Sequence, residues 1–153
     1  MTPVQGSKWY EALYKNSVDV AGPEIKKLCL AAKENDIHIV MGINERGSSY
    51  GEIYNTNLII DNKGVIIGKH RKLVPTWAEK LTWTSGDGSS LKVYDTEIGP
   101  IGTLACGENT NTLARFTLLS QGELIHIANY ISLPVAPPDY DMAEAIKIRA
   151  AAH

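Results

Sequence analysis

Short apolar runs rich in β-branched residues are the feature of this chain that most constrains its fold. They alternate with stretches whose apolar residues recur at helical spacing, and turn-forming residues separate the two kinds. Runs of about 4–8 such residues, bounded by glycine, proline, asparagine or aspartate, are typical of buried strands. Strands that alternate with helices predict a protein of the α/β class.

The predicted strands cover residues 37–43, 53–60, 65–69, 91–94, 101–105 and 123–129. The first is almost continuously apolar, so we expect it to be buried on both faces. The second and third are expected to form a hairpin, because Asp61-Asn62-Lys63-Gly64 between them suits a tight turn. Residues 91–94 and 101–105 are expected to pair around Gly99-Pro100.

Helical periodicity predicts the remaining elements. Pro23 suits the first turn of a helix that ends near Asn35-Asp36. A second helix is expected over residues 110–121, with Gly122 at its C-terminal cap. Residues 1–20 suit a short helix. A last helix is expected from Tyr140 onward, and its alanine-rich end carries none of the residues that usually stop a helix.

Composition narrows the classes of partner. The chain has 153 residues, of which 44% are hydrophobic and 21% charged, as in an ordinary globular protein, so one domain over residues 1–153 is expected. A net charge of −2 gives no reason to expect nucleic acid or an anionic membrane as a partner.

We expect no membrane span and no signal peptide. Two cysteines make no disulfide framework, which predicts a reducing cytoplasm.

Cys106 is the candidate nucleophile. The apolar run from Ile101 ends at this cysteine and continues into Gly107-Glu108-Asn109. A buried strand that delivers a thiol to a polar edge has this pattern, and a following helix N-terminus or a nearby lysine would favour the nucleophilic thiolate. Most free cysteines are small buried hydrophobes, and Cys29, on the apolar face of a predicted helix, is assigned to the core.

Lys72 and Glu79 are the candidate partners of this thiol. Lys72 closes the basic run His70-Arg71-Lys72, which is more commonly a solvated strand end. In a functional role, Lys72 would turn inward and stabilise negative charge, and Glu79 would orient the lysine or accept a proton.

Other sites are less well supported by the residues. A Cys–His pair, Cys106 with His70 or His126, stays open as an alternative. The histidines show no metal-ligand spacing, so no metal site is predicted. Gly86-Asp87-Gly88-Ser89 lacks the phosphate-loop and dinucleotide patterns and is typical of a turn.

Several of these segments together resemble the nitrilases of the carbon–nitrogen hydrolase superfamily. The resemblance runs from about Ser17 to His153. Its blocks, in chain order, are Ser17-Val18-Asp19-Val20 with Gly22-Pro23-Glu24, Gly42-Ile43-Asn44-Glu45-Arg46 with Tyr54-Asn55-Thr56, Gly68-Lys69-His70-Arg71-Lys72-Leu73-Val74-Pro75-Thr76, Gly86-Asp87-Gly88-Ser89 and Cys106-Gly107-Glu108-Asn109. Blocks in this order and spacing are specific, whereas any one of them alone would be weak.

The resemblance implies a fold, a reaction and a site. The fold would be part of a four-layer αββα sandwich, and the reaction would convert a nitrile to a carboxylic acid and ammonia through a cysteine thioimidate and thioester. Of the family's Glu-Lys-Cys triad, Cys106 would be the nucleophile and Lys72 the lysine, with Glu79 as the supporting glutamate. Cys106 and Lys72 are expected to face one pocket. The family needs no metal or organic cofactor, forms homo-oligomers and acts on a small-molecule nitrile or amide.

The sequence also departs from the family pattern. Gly107 follows the nucleophile where a bulky residue is usual, and Thr103 stands where a smaller residue or glutamine is usual. The family's N-terminal block with its general-base glutamate is not found, since Glu11 fits no part of it, and neither are the strands after the last helix. The chain therefore resembles an internal piece of a nitrilase. The alternatives are an inactive fragment with an oligomerising or structural role, and an amidase of the same superfamily.

Overall fold

The computed structural model describes residues 3–130, with side chains from residue 6 onward. The helix predicted from Tyr140 lies outside the described residues. The chain divides into two compact units, the first ending at Ser90 and the second beginning at Leu91. No helix among residues 3–130 is long and apolar enough to cross a membrane.

Two helices open the first unit. Helix α1 spans Pro3–Asn16 and helix α2 spans Pro23–Asn35. Proline lies in the first turn of α2, and Asp36 ends the helix with a left-handed φ of 53°, its N–H bonding back to the carbonyls of Ala32 and Lys33. The predicted bounds of α2 are therefore confirmed. Cys29 packs beside the buried side chains of this helix, as expected of a core cysteine.

A three-stranded antiparallel sheet completes the first unit. Its strands are β1 (Ile39–Arg46), β2 (Ile53–Ile60) and β3 (Ile66–Arg71), and β2 is central. The predicted hairpin between β2 and β3 is confirmed. In its turn the Asp61 carboxylate accepts hydrogen bonds from the N–H groups of Lys63 and Val65, and Gly64 has φ 78°.

The expectation that the first strand is buried on both faces is wrong. Met41 in β1 keeps 38% of its surface exposed, whereas Leu58, Ile59 and Ile60 of β2 keep 0%. The reason is position in the sheet: β1 is an edge strand, and β2 has a neighbour on each side. The core of this unit forms where Ile25 and Ala32 of α2 pack with Leu58 and Ile60.

The second unit is a strand–helix–strand unit. Strands β4 (Ile101–Ala105) and β5 (Ile125–Asn129) are parallel, and helix α3 (Thr112–Leu119) connects them. Helix α3 begins later than predicted, because residues 106–110 form a 3-10 helix and the Asn111 side chain then caps α3 by accepting from the N–H groups of Leu113 and Ala114.

The strand predicted over residues 91–94 is wrong in extent. Within residues 3–130, Tyr94 is the only residue of this segment that bridges to a strand, at Ile101. The side chain of Gln121 forms hydrogen bonds with backbone groups that would otherwise pair with a strand. Its amide nitrogen donates to the Leu91 carbonyl at 3.0 Å, and its oxygen accepts from Val93 N–H at 3.2 Å. A glutamine from a distant part of the chain therefore replaces a sheet partner.

Candidate active site

Lys72 is a buried lysine that directly follows β3. Its side chain is 1% exposed. Its N–H donates to the Asn55 carbonyl at 2.8 Å, and its own carbonyl accepts from Gly86 N–H at 2.8 Å. The backbone of Lys72 is thus held on both sides. The basic run at this strand end is not a fully solvated face, since its last residue turns inward.

Glu79 binds the buried ammonium group. Its Oε2 lies 2.5 Å from Lys72 Nζ, and Thr76 Oγ1 accepts from the same nitrogen at 3.1 Å. Glu79 lies in a 3-10 helix, Trp77–Leu81, where its Oε2 also accepts from Thr76 N–H at 2.6 Å in a capping box. A buried ammonium needs a partner of opposite charge, and local backbone geometry holds that partner in place. Glu79 therefore lies beside Lys72, as expected.

Gly86 allows the chain to pass close to the lysine. A Cβ atom on this residue would lie 2.5 Å from the Arg71 carbonyl oxygen and 2.9 Å from that of Lys72. Any side chain would therefore displace the strand end that carries Lys72. The sequence predicts a turn here and a block of the family resemblance, but not this contact, because a close approach to a distant strand leaves no local signal beyond the glycine itself.

Glu45 is a buried carboxylate in the first unit, whereas Glu79 is half-buried, and the sequence alone does not single Glu45 out. It accepts from Thr56 Oγ1 at 2.7 Å and from Arg71 Nε and Nη2 at 3.0 and 2.7 Å, and it pairs with Lys69. Burial raises the pKa of Glu45, but the hydrogen bonds from Arg71, Lys69 and Thr56 outweigh burial and lower that pKa to about 2. Glu45 thus holds the side chain of Arg71, the residue before Lys72, in place.

Cys106 lies in the second unit, at the strand end that the sequence predicted. It directly follows β4, opens the 3-10 helix Cys106–Thr110 and has φ 52°. A non-glycine residue in the left-handed region costs on the order of 1–3 kcal/mol and persists only where its surroundings hold it. The side chain is half-buried. The strand-to-turn placement thus presents the thiol on a tight bend.

Two buried side chains hold this bend. Glu108 Oε2 accepts from the N–H of Ala105 at 2.9 Å. Asn109 Nδ2 donates to the carbonyl of Cys106 at 2.8 Å and to that of Leu104 at 3.3 Å. Glu108 is 7% exposed and Asn109 is 3% exposed. The polar residues after the cysteine therefore bond back to the strand end and secure the left-handed turn.

Asn109 is in turn bound to a buried polar chain. His126 Nε2 lies 2.7 Å from Asn109 Oδ1, and His126 Nδ1 lies 2.6 Å from Glu123 Oε1. The other oxygen of Glu123 accepts from Arg115 Nη1 at 3.2 Å. Both ring nitrogens of His126 thus contact residues other than the Cys106 sulfur, and His126 reaches Cys106 through Asn109. This arrangement gives no support to a Cys106–His126 catalytic pair.

His70, the other histidine weighed as a partner of the cysteine, is buried in the first unit. Its Nδ1 lies 3.0 Å from Ser90 Oγ. Among the described residues, no group of three or more histidine, cysteine, aspartate or glutamate side chains is arranged to hold a metal ion.

Comparison with known proteins identifies the family. Residues 5–152 match the carbon–nitrogen hydrolase family. The chain is 38% identical over 135 residues to a nitrilase of Paraburkholderia phymatum, and this alignment covers 88% of the chain and 39% of that protein. It is 32% identical over 139 residues to an aliphatic nitrilase of Rhodococcus rhodochrous, and that alignment covers 90% of the chain and 37% of the relative.

Solved structures share the fold. A Saccharomyces cerevisiae member of branch 10 of the nitrilase superfamily aligns with a TM-score of 0.71 at 24% identity, over 86% of this chain and 49% of that one. A carbon–nitrogen hydrolase of Helicobacter pylori aligns with a TM-score of 0.67 at 19% identity, over 84% of this chain and 43% of that one.

The α/β fold and the family match over residues 5–152 define the class of protein. The chain belongs to the carbon–nitrogen hydrolase family, and its fold is of that type, as the sequence resemblance predicted. It spans little more than a third of the length of the curated nitrilases it matches.

Proposed function

We propose that this chain carries the nucleophile and the lysine of a nitrilase-type hydrolase. The substrate would be a small nitrile, and the products would be a carboxylic acid and ammonia. The relatives named as nitrilases support this reaction class. The left-handed Cys106 at the end of β4 is the observation that carries the proposal, because a strained turn sustained by two buried side chains is typical of functional sites.

The roles follow from the chemistry of the groups. The Cys106 thiolate attacks the nitrile carbon and forms a thioimidate. Lys72 stabilises the charge that develops on nitrogen. It has three N–H donors, of which Glu79 and Thr76 take two among the described residues. One water then releases ammonia and leaves a thioester, and a second water releases the acid and restores the thiol.

Water activation needs a carboxylate base. Among the described residues, Glu79 is bound to Lys72, and Glu11 lies exposed on α1 and pairs with Lys15 at 2.6 Å. General-base assistance is typically worth about 10²–10⁴-fold in rate. We therefore propose that the 153-residue chain by itself forms the covalent adduct faster than it hydrolyses it. We further propose a homo-oligomer in a reducing cytoplasm that uses no metal or organic cofactor, as the family resemblance and the two free cysteines suggest.

The first prediction tests the nucleophile. Incubation with benzonitrile or propionitrile is expected to add the mass of the nitrile to the chain and to release ammonia slowly. Intact mass spectrometry and an ammonia assay measure the two outcomes. Cys106→Ala should abolish both, because the attacking sulfur is gone.

Cys29→Ala is the matched control, since it removes the other free cysteine, which packs beside the core. It should leave both outcomes unchanged. An adduct that still forms in the Cys106→Ala chain would contradict the proposal. Fast ammonia release by the Cys106→Ala chain would contradict it too.

A further inference from the structure

A chain of buried polar side chains runs from Arg115 to the backbone of Cys106. The side chains of Arg115 and Glu123 are 12% and 2% exposed, and that of His126 is 19% exposed. Arg115 Nε has no hydrogen-bond partner among the described residues, whereas the contacts of Glu123, His126 and Asn109 are all made within the chain. The donors and acceptors of those three residues can be assigned from the network.

The orientation of the Asn109 amide follows from two backbone carbonyls. The carbonyls of Leu104 and Cys106 only accept hydrogen bonds, so the NH₂ group of Asn109 must face them. Asn109 Oδ1 then faces His126 Nε2 at 2.7 Å. Because Oδ1 can only accept, this ring nitrogen carries a hydrogen.

The second ring nitrogen of His126 also faces a hydrogen-bond acceptor. It lies 2.6 Å from Glu123 Oε1, a distance at which a bare nitrogen and a carboxylate oxygen would repel each other. Arg115 Nη1 donates to the other oxygen of Glu123 at 3.2 Å. A hydrogen on His126 Nδ1 would satisfy the contact with Glu123, and together with the hydrogen on Nε2 it would make the ring a doubly protonated imidazolium.

Gly102 shows that the fold makes room for this arrangement. It is the register partner of His126 in the parallel pair of β4 and β5. A Cβ atom at Gly102 would lie 1.9 Å from Glu123 Oε1. The carboxylate thus occupies the space that a side chain on β4 would fill.

We propose that Arg115, Glu123, His126 and Asn109 form a positioning relay in which doubly protonated His126 holds the Asn109 amide against the left-handed turn at Cys106. The relay residues act on the thiol through the backbone, so they are positioning residues. Their link to catalysis rests on the proposed role of Cys106 as nucleophile.

The charge state of His126 is tested by nitrogen-15 NMR of the ring in the full chain at neutral pH, with the ring assigned through bonds from the backbone. Both ring nitrogens are expected to carry hydrogen. Glu123→Gln removes the charge that favours the second hydrogen and should leave one nitrogen bare. Glu34→Gln, an exposed carboxylate on α2, should leave the ring unchanged. A bare ring nitrogen in the unsubstituted chain would overturn the relay.

The positioning role is tested by a matched pair of substitutions in the second unit. Asn109→Asp replaces the amide donor with an oxygen that faces two carbonyls, whereas Asn111→Asp keeps an equally good helix cap. With benzonitrile, Asn109→Asp should lower the maximal rate of adduct formation at least about tenfold, since a misplacement near 1 Å can cost about 10²-fold. The half-saturating concentration should change little.

Asn111→Asp should leave the rate unchanged. The carbon-13 resonance of the Cys106 carbonyl should move in Asn109→Asp and stay in place in Asn111→Asp. A folded Asn109→Asp chain with an unchanged carbonyl resonance would overturn the relay. If the unsubstituted chain forms no adduct, the proposed function fails, while the ring-nitrogen and carbonyl measurements still decide the relay.

Discussion

Lys72 illustrates how a single residue can depart from the behaviour of its neighbours. It ends the basic run Lys69-His70-Arg71-Lys72, yet its side chain is buried and bonded to Glu79 and Thr76. Glu79 lies three positions after Thr76, the spacing of a capping box, and the same carboxylate oxygen both caps the turn and binds the lysine. A local turn motif thus supplies the counter-charge that makes the burial of Lys72 tolerable.

The second prediction concerns the reactivity of the two free cysteines. Cys106 is expected to alkylate with iodoacetamide faster than Cys29 at neutral pH, because the proposed roles require a lysine ammonium that favours the thiolate of Cys106. Lys72→Met keeps much of the side-chain volume and removes the charge, so it should slow alkylation of Cys106. Peptide mapping after brief labelling measures both rates in the same molecule.

Lys80→Met is the control, because Lys80 is exposed on the 3-10 helix that carries Glu79. It should leave the ratio of the two rates unchanged. Equal rates for Cys106 and Cys29 in the unsubstituted chain would count against an activated nucleophile.

At the scale of elements, the three-stranded sheet of the first unit is held by a charged cluster as well as by its apolar core. Glu45 on β1 reaches Thr56 on the neighbouring strand β2 and Arg71 at the end of β3. Arg71 also stacks over the Tyr54 ring, with its guanidinium carbon 3.8 Å from the ring centroid. One carboxylate therefore connects all three strands next to Lys72.

The third prediction concerns the stability of this sheet. Glu45→Gln should lower the free energy of unfolding by about 1.5–3 kcal/mol at neutral pH, the range for hydrogen bonds to charged groups. Because the folded-state pKa of Glu45 is about 2 against an ordinary value of 4.5, its contribution is present above pH 4.5 and is lost as the pH falls toward 2. Urea unfolding at several pH values measures the difference between the two chains.

That difference should be largest near neutral pH and should shrink through the acid range. Glu34→Gln, which removes an exposed charge on α2, should stay within about 0.5 kcal/mol of the unsubstituted chain at every pH. A Glu45→Gln chain as stable as the parent at neutral pH would contradict the role of the cluster.

At the scale of the whole molecule, the family and fold are those of a carbon–nitrogen hydrolase. The two candidate groups are divided between the two units, with Lys72 and Glu79 in the first and Cys106 in the second. That residues 1–153 form one carbon–nitrogen hydrolase domain, in which these groups act on one substrate, stays a prediction. The adduct and labelling experiments test it through chemistry that needs both units.

The fourth prediction concerns assembly. The chain is expected to form a homo-oligomer, because sheet edges within residues 3–130 favour association and large apolar side chains such as Leu113 and Phe116 of α3 are 78% and 67% exposed. Size-exclusion chromatography with light scattering should give a mass of at least two chains. A mass of one chain at every concentration tested would contradict this expectation.

Much of the local structure was predictable because its signals lie within a few residues of one another. Proline and periodicity mark α2, the Asp61–Gly64 turn marks the hairpin, and the apolar run that ends at Cys106 marks β4. The pairing of Lys72 with Glu79 belongs here too, since a short turn brings them together. In each case the physical cause is local: backbone propensity, a cap or a turn.

What only the tertiary structure decided depends on residues far apart in the chain. Hydrogen bonds from the Gln121 side chain replace the strand pairing expected over residues 91–94, and the edge position of β1 exposes Met41. Gly86 and Gly102 matter because distant atoms approach them, and His126 reaches the cysteine through Asn109. The sequence by itself therefore determined the family, the strand that delivers the thiol and the lysine–glutamate pair. The contacts that hold the Cys106 turn were decided by packing, because hydrogen bonds between distant side chains leave no periodic trace in the sequence.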